Sequence, residues 1–239
     1  MVPLLVHRQG GTLTLELARP ERGNALADEL VEALLAQLRA ARLDASLHTV
    51  VLRGQGPNFC TGFDLSDLAT VGEGELLRRV IRIETLLAEV WASPLRTVAV
   101  AHGRTWGAGA ELLASCEVRV VRPGTTLRFP GARFGLVLGT RRLATRIGAD
   151  RTRRLVTEGG EVDAAQALAW GLATHGEFDA DTTLPEPVVD TATAAAIRQA
   201  TRPNDSAALD ADLAALVRSA SEPGLRERML RYVATLRGR

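Results

Sequence analysis

The strongest constraint in this sequence is an alternation of short apolar runs with helical repeats that gives way, after about 140 residues, to helical repeats alone. The runs at 49–52, 97–101 and 118–121 are too short for helices and apolar enough to be buried strands. Between them, Leu30, Val31, Leu34, Leu35 and Leu38 recur at helical spacing and predict a helix over 28–42. A second helix is expected over about 74–92, stopped by Ser93-Pro94. Ahead of these, 4–7 and 12–17 alternate around Gln9-Gly10-Gly11 and read as a hairpin ended by Arg19-Pro20. Buried strands separated by helices must share a sheet that the helices cover, which places the chain in the α/β class. From Arg141 onward the pattern is helical at 143–147, 151–157 and 164–170, then in three segments within 191–236. Pro185 and Pro187 mark a joint, so the expected division is a core of residues 1–185 and a helical region of 186–239. In that region Leu209, Leu213, Leu216, Leu225, Met229, Leu230 and Val233 form an apolar set. Its plain reading is packing onto the core; the alternative is a cover over a ligand or a neighbouring subunit.

Composition removes several function classes. With 29 basic against 28 acidic residues the net charge is +1, so bulk attraction to nucleic acid or an anionic membrane is not expected. All 29 basic residues are Arg. Without an ε-amine, pyridoxal-phosphate, Schiff-base and P-loop chemistry are excluded. Two cysteines, Cys60 and Cys116, and four histidines without paired spacing make no metal site, and no resident cofactor is expected. No apolar stretch reaches about 18 residues and no signal-like segment opens the chain, so the expected location is the cytoplasm.

Chemistry is expected in two loops that each follow a strand. The first is Asn58-Phe59-Cys60-Thr61-Gly62-Phe63-Asp64-Leu65; the second runs from Gly103 through Trp106-Gly107-Ala108-Gly109-Ala110-Glu111-Leu112 into a helix starting at Ala108. Loops of this kind leave backbone N–H groups without partners, and a helix N-terminus adds partial positive charge, so converging N–H groups can hold an oxyanion. Taken singly, either loop reads as a plain connection between elements. His102, beside the strand end, reads as a structural hydrogen-bonding residue.

Together the loops carry a pattern: Cys60-Thr61-Gly62-Phe63-Asp64-Leu65, then Ala99-Val100-Ala101-His102-Gly103, then Gly107-Ala108-Gly109-Ala110-Glu111-Leu112. Arg19-Pro20-Glu21-Arg22-Gly23-Asn24-Ala25-Leu26 precedes it, and Phe134-Gly135-Leu136 and 164–172 follow. This order resembles the crotonase (enoyl-CoA hydratase/isomerase) superfamily over residues 6–172. The resemblance implies a spiral of ββα units with a C-terminal helical trimerisation region. It also implies an acyl-CoA substrate, with coenzyme A entering only as part of that substrate, and a homotrimer or dimer of trimers. The N–H groups of Phe63 and Ala108 would hold the thioester oxygen. Arg22, Ala25, Cys60, Thr61, Asp64 and Leu65 would lie along coenzyme A, and Trp106, Pro130 and Gly131 along the acyl group. Glu111 matches one of the two glutamates that hydratases of this family use. The other falls in a Pro-Glu pair, which here is Pro130-Gly131, and no acid occurs over 125–149. Ungapped counting offers Glu84 as a substitute; its alternative is a surface ion pair with Arg78, Arg79 or Arg82. Hydratase or lyase chemistry is the leading expectation. Thioester hydrolysis, decarboxylation, isomerisation and a silent acyl-CoA-binding protein remain beside it.

Overall fold

The computed structural model describes residues 2–176, 188–202 and 206–237. The joint at Pro185 and Pro187, and with it the division between 185 and 186, lies outside the described residues. The hairpin forms as β1 (Leu4–Gln9) and β2 (Thr12–Leu17), paired antiparallel. After β2 come α1 (Asp28–Leu43), β3 (Thr49–Gly54), α2 (Glu73–Trp91) and β4 (Arg96–Ala101). Next are β5 (Arg104–Trp106), α3 (Ala108–Ser115), β6 (Val118–Val121) and β7 (Thr126–Arg128). β2, β3, β4 and β6 continue the sheet in parallel, giving the order β1-β2-β3-β4-β6. Each parallel step carries a helix in its connection, the arrangement that parallel pairing requires.

Three short strands escaped the sequence reading. β5, β7 and β8 (Glu161–Asp163) form a second sheet in the order β5-β7-β8, with β5–β7 parallel and β7–β8 antiparallel. Each has only three residues, too few to show a period of two, and only the central residue of each is fully buried. β5 replaces part of the stretch expected to be a Gly-rich turn, and β8 fills the gap between the helices expected at 151–157 and 164–170. With them the core reads as ββα units: β1-β2-α1, β4-β5-α3, and β6-β7 leading to α4 (Thr140–Ile147). In the unit of β3 and α2 the second strand shrinks to an isolated bridge, Cys60 against Thr105 on β5.

The helices bury the faces the spacing predicts. α1 buries Leu30, Val31, Leu34, Leu35 and Leu38, and also Ala41. α2 buries Val80, Ile83, Leu87 and Val90, while Ile81, read as part of the same face, is half-buried. α3 is buried at every position, as its Ala- and Leu-rich sequence dictates. α4, α5 (Ala149–Glu158) and α6 (Ala164–Ala169) follow, and a capping box between Asp163 and Gln166 starts α6. The last helices are α7 (Thr191–Thr201), α8 (Ser206–Ala220) and α9 (Leu225–Arg237). Leu216, Leu225 and Met229 are buried in a second cluster with Leu76 and Val80 of α2, whereas Leu230 is 40% exposed. No described helix is long and apolar enough to cross a membrane.

The two site loops are locked by backbone-on-backbone contact. Trp106 N–H donates to the Cys60 carbonyl at 3.0 Å, and a Cβ on Gly109 would clash with that same carbonyl. Gly62, at φ +93°, leaves no room for a side chain either: its Cβ would sit 2.7 Å from the Trp106 carbonyl oxygen. By contrast, the nearest atom to a Cβ on Gly131 is the Leu136 carbonyl oxygen at 3.8 Å. Gly109→Ala is therefore expected to lower stability by about 1–3 kcal/mol in urea denaturation, as overpacking against an immobile backbone does. Gly131→Ala is expected to change it by less than about 1 kcal/mol.

Candidate functional site

Where the two loops meet the C-terminal helices, a cavity of about 540 Å³ opens between them. Phe63 and Ala108 both line it. Ala108 is the first residue of α3, so its N–H precedes the helical hydrogen-bond ladder. Neither the Ala108 nor the Phe63 N–H has an acceptor among the described residues. Glu111 lies one turn further along α3 and presents its side chain to the same cavity.

Glu111 is 5% exposed, and its Oε2 has no hydrogen-bond partner among the described residues. Burial pushes its carboxyl from 4.5 up to about 8; Arg142 pulls it down and Glu84 raises it further. At neutral pH the group is thus a carboxylic acid, able to donate a proton. Two other described carboxylates reach the wall, Glu21 and Asp64. Glu21 is exposed. Asp64 accepts from Arg19 at 2.9 Å and from the Ser66 N–H at 3.0 Å. Burial works to raise its carboxyl, yet Ser66 and Arg19 hold it below the usual range. Among the described carboxyls on the wall, Glu111 is the buried one that desolvation holds well above the usual range.

Glu84 is not on the cavity wall. It is 2% exposed, and Arg142 grips both its oxygens at 2.6 and 2.8 Å. The surface pairing with Arg78, Arg79 or Arg82 does not occur either. Arg82 binds Glu32, while Arg78 and Arg79 bind Glu75, with Asp28 and Asp67 as further partners. Glu84 faces inward because the α2 face that buries Val80 and Ile83 carries it toward α4, 58 residues away in sequence.

Of the residues expected along coenzyme A, Arg22, Ala25, Thr61, Asp64 and Leu65 line the cavity. Arg22 is exposed and Ala25 is buried. Cys60 does not line the cavity. Its side chain is wholly buried, and burial pushes the thiol up to about 12, so it packs and does not react. Trp106, Pro130 and Gly131 lie on the cavity wall. Two guanidinium groups lie over the Trp106 ring, Arg104 at 5.0 Å and Arg128 at 4.6 Å from its centroid, and its indole N–H donates to the Thr126 hydroxyl. His102 bonds the Gly56 carbonyl at 2.9 Å and is structural. α9 adds Met229, Tyr232 and Leu236 to the wall, so the last helix both packs on the core and covers the cavity. Tyr232 is fixed there by an edge-on contact with Phe134 at 4.8 Å.

Two residues at the site had no readable signal in the sequence. Gly139, at φ +65°, caps α4 with its backbone pressed on the Glu111 carboxyl, where any side chain would collide. Arg142, in the first turn of α4, is wholly buried.

The raised Glu111 carboxyl has a consequence for stability. Folded, the group keeps its proton up to about pH 8; unfolded, it releases it near 4.5, so stability falls as pH climbs through that window. Glu111→Gln carries no proton to lose. Urea denaturation from pH 5 to 9 is expected to show the wild-type chain losing stability relative to Glu111→Gln, with a steepest slope near 1.4 kcal/mol per pH unit, about what one proton gives.

The model of the family described as enoyl-CoA hydratase/isomerase matches residues 7–233. A Mycobacterium bovis protein named probable enoyl-CoA hydratase echA6 is 38% identical over 166 residues, 68% of this chain and 66% of its own length. A zebrafish (Danio rerio) mitochondrial enoyl-CoA hydratase domain-containing protein 3 is 31% identical over 70% of this chain and 59% of its own. A crystal structure from Bordetella parapertussis, assigned to the enoyl-CoA hydratase/isomerase group, superposes with a TM-score of 0.91 at 39% identity over 98% of this chain and 99% of that one. The enoyl-CoA hydratase of Bacillus halodurans shares the fold at a TM-score of 0.80 and 21% identity, over 96% of this chain and 99% of its own. With the family model spanning nearly all of the chain and the fold shared end to end, this protein belongs to the enoyl-CoA hydratase/isomerase (crotonase) family.

Proposed function

We propose that the protein binds an acyl-CoA thioester in the cavity and protonates the α-carbon of its enolate with Glu111. The observation that carries this reading is Glu111 itself: a buried carboxyl on the wall, one helical turn beyond the Ala108 N–H, with Oε2 unpartnered among the described residues. The Phe63 and Ala108 N–H groups donate to the thioester oxygen and stabilise the charge that collects there. Arg22 at the exposed end suits a phosphate of coenzyme A. The trimeric assembly implied by the family belongs to this proposal as well.

One acid suits a reaction that needs one proton. Decarboxylation of a 2-carboxyacyl thioester is such a reaction. The bond to the carboxylate breaks, carbon dioxide leaves, and the electron pair passes through the α-carbon to the thioester oxygen. The Glu111 O–H then protonates the α-carbon, and solvent restores the acid. Hydration divided between two glutamates lacks its second carboxylate at both expected positions, because Gly131 has no side chain and Glu84 is committed to Arg142. Hydration is the second reading, favoured by the names of the relatives. In it Glu111 alone, once ionised, takes a proton from water and returns it to the α-carbon.

A panel of malonyl-, methylmalonyl-, enoyl- and hydroxyacyl-CoA thioesters, scored for carbon dioxide release, hydration and free thiol, tests the proposal. Carbon dioxide release is expected, and Glu111→Gln is expected to lower it roughly 10²–10⁴-fold with little change in thioester affinity. Binding of the thioesters with every one left unchanged would mark a silent binder and overturn the proposal. Gly131→Glu, whose Cβ has room, is expected to raise enoyl-CoA hydration by roughly 10²-fold, the lower end of what a placed acid–base group contributes. No gain would mean that a second carboxylate is not what hydration lacks here.

A further inference from the structure

Behind the cavity wall, helices α2, α4 and α8 bring together a charged cluster. Arg142 Nη2 donates to both oxygens of Glu84 at 2.6 and 2.8 Å, and its Nη1 to Asp212 of α8 at 3.2 Å. Asp212 also accepts from Arg141, at 2.7 Å from Nη2 and at 2.9 and 3.0 Å from Nε. Two atoms of this region are buried and unsatisfied among the described residues: the Arg142 Nε and the Glu111 Oε2. Gly139 presses its backbone on the Glu111 carboxyl, and Arg142 follows it in the first turn of the same helix.

We propose that Arg142 is a positioning residue that sets how firmly Glu111 holds its proton, and that Glu84 and Asp212 tune it by sharing its charge. The inference rests on the reading of Glu111 as the proton donor. A guanidinium neutralised by two carboxylates has little attraction left for a third, so Glu111 stays protonated. If either carboxylate is neutralised, the cation acts on Glu111 through a dry interior, where charge interactions are strong. The other elements packed on α3 bring Arg96 on β4 and Arg104 on β5. The groups that act on the Glu111 carboxyl are Arg142 and Glu84, in opposite senses. Burial works to lower Arg142, yet Glu84, Asp212 and Glu111 carry it above its ordinary value, so it remains a cation throughout.

The test is the Glu111 titration midpoint, read by ¹³C NMR of the whole protein labelled at glutamate carboxyl carbons and assigned by the signal lost in Glu111→Gln. Glu84→Gln and Asp212→Asn each leave Arg142 one counter-charge, and each is expected to lower the midpoint, by about one pH unit for Glu84→Gln, a tenfold change in the ionisation constant. The double variant Glu84→Gln/Arg142→Gln removes the cation with its partner and leaves Asp212 paired with Arg141. It is expected to restore the midpoint to the wild-type value or above. A cluster that only holds the helices together would leave all midpoints within about 0.2 units of wild type, and that result overturns the inference. If the double variant does not fold, the two single variants decide it: no downward shift in either refutes the role. The titration needs no substrate, so turnover absent from the thioester panel would refute the proposed reaction while leaving this inference standing.

Discussion

The site depends on one contact, the approach of two backbone segments with nothing between them. The Cys60 carbonyl accepts from Trp106 N–H and lies so close to Gly109 that any side chain there would clash. Hydrogen bonding fixes the approach elsewhere too: Leu26 N–H donates to the Gly62 carbonyl at 2.7 Å, and Gly107 N–H to the Arg128 carbonyl at 2.8 Å. Because these neighbouring groups are spent within the protein, the Phe63 and Ala108 N–H groups stand out as donors without acceptors among the described residues. Two unpartnered donors at one cavity wall favour a ligand oxygen with growing negative charge, since desolvated donors gain most from a charged acceptor. The Asn24 side chain supports the arrangement from behind, donating to the Gln55 and Asn58 carbonyls while accepting from the Arg19 N–H.

A chain whose only strong cation is Arg buries its charges in a particular way. Guanidinium groups bridge carbonyls at the C-terminal end of α3, where helix ends leave acceptors unsatisfied. Arg146 donates to the Ala114 and Cys116 carbonyls, and Arg119 to those of Cys116, Glu117, Gly171 and Leu172. Arg198 and Arg202 of the α7 segment meet at the Glu117 carboxylate and so tie the C-terminal helices to the core. Arg142 does the equivalent at the other end of the site. There it joins Glu84 of α2 to Asp212 of α8 behind the cavity wall.

Much of this was legible beforehand, and the reason is local. Helix periods in α1 and α2, the strand at 97–101 and the start of α3 at Ala108 depend on residues within a few positions of each other. The place of Glu111 on the wall follows from a three-residue offset along one helix. β5, β7 and β8 were hidden because three residues carry no period, and each forms only when another distant strand supplies its partner. For Glu84 the sequence left open a pocket acid or a surface ion pair, and it is neither; its burial against Arg142 was hidden because nothing local ties position 84 to position 142. The same holds for Gly139, whose role comes from a carboxyl 28 positions away.

The sequence by itself determined the class of fold, the family and the place of Glu111 one turn into the helix that follows the second loop, because patterns of spacing and small residues specify backbone geometry locally. It also determined that the second family glutamate is absent, since Gly131 has no side chain to offer. Only the tertiary structure decided what state the remaining acid is in. Whether a carboxyl holds its proton at neutral pH depends on how much water it loses and which charges surround it. Those are set by α2, α4 and α8 meeting behind the cavity, a coincidence in space between segments that have no relation along the chain.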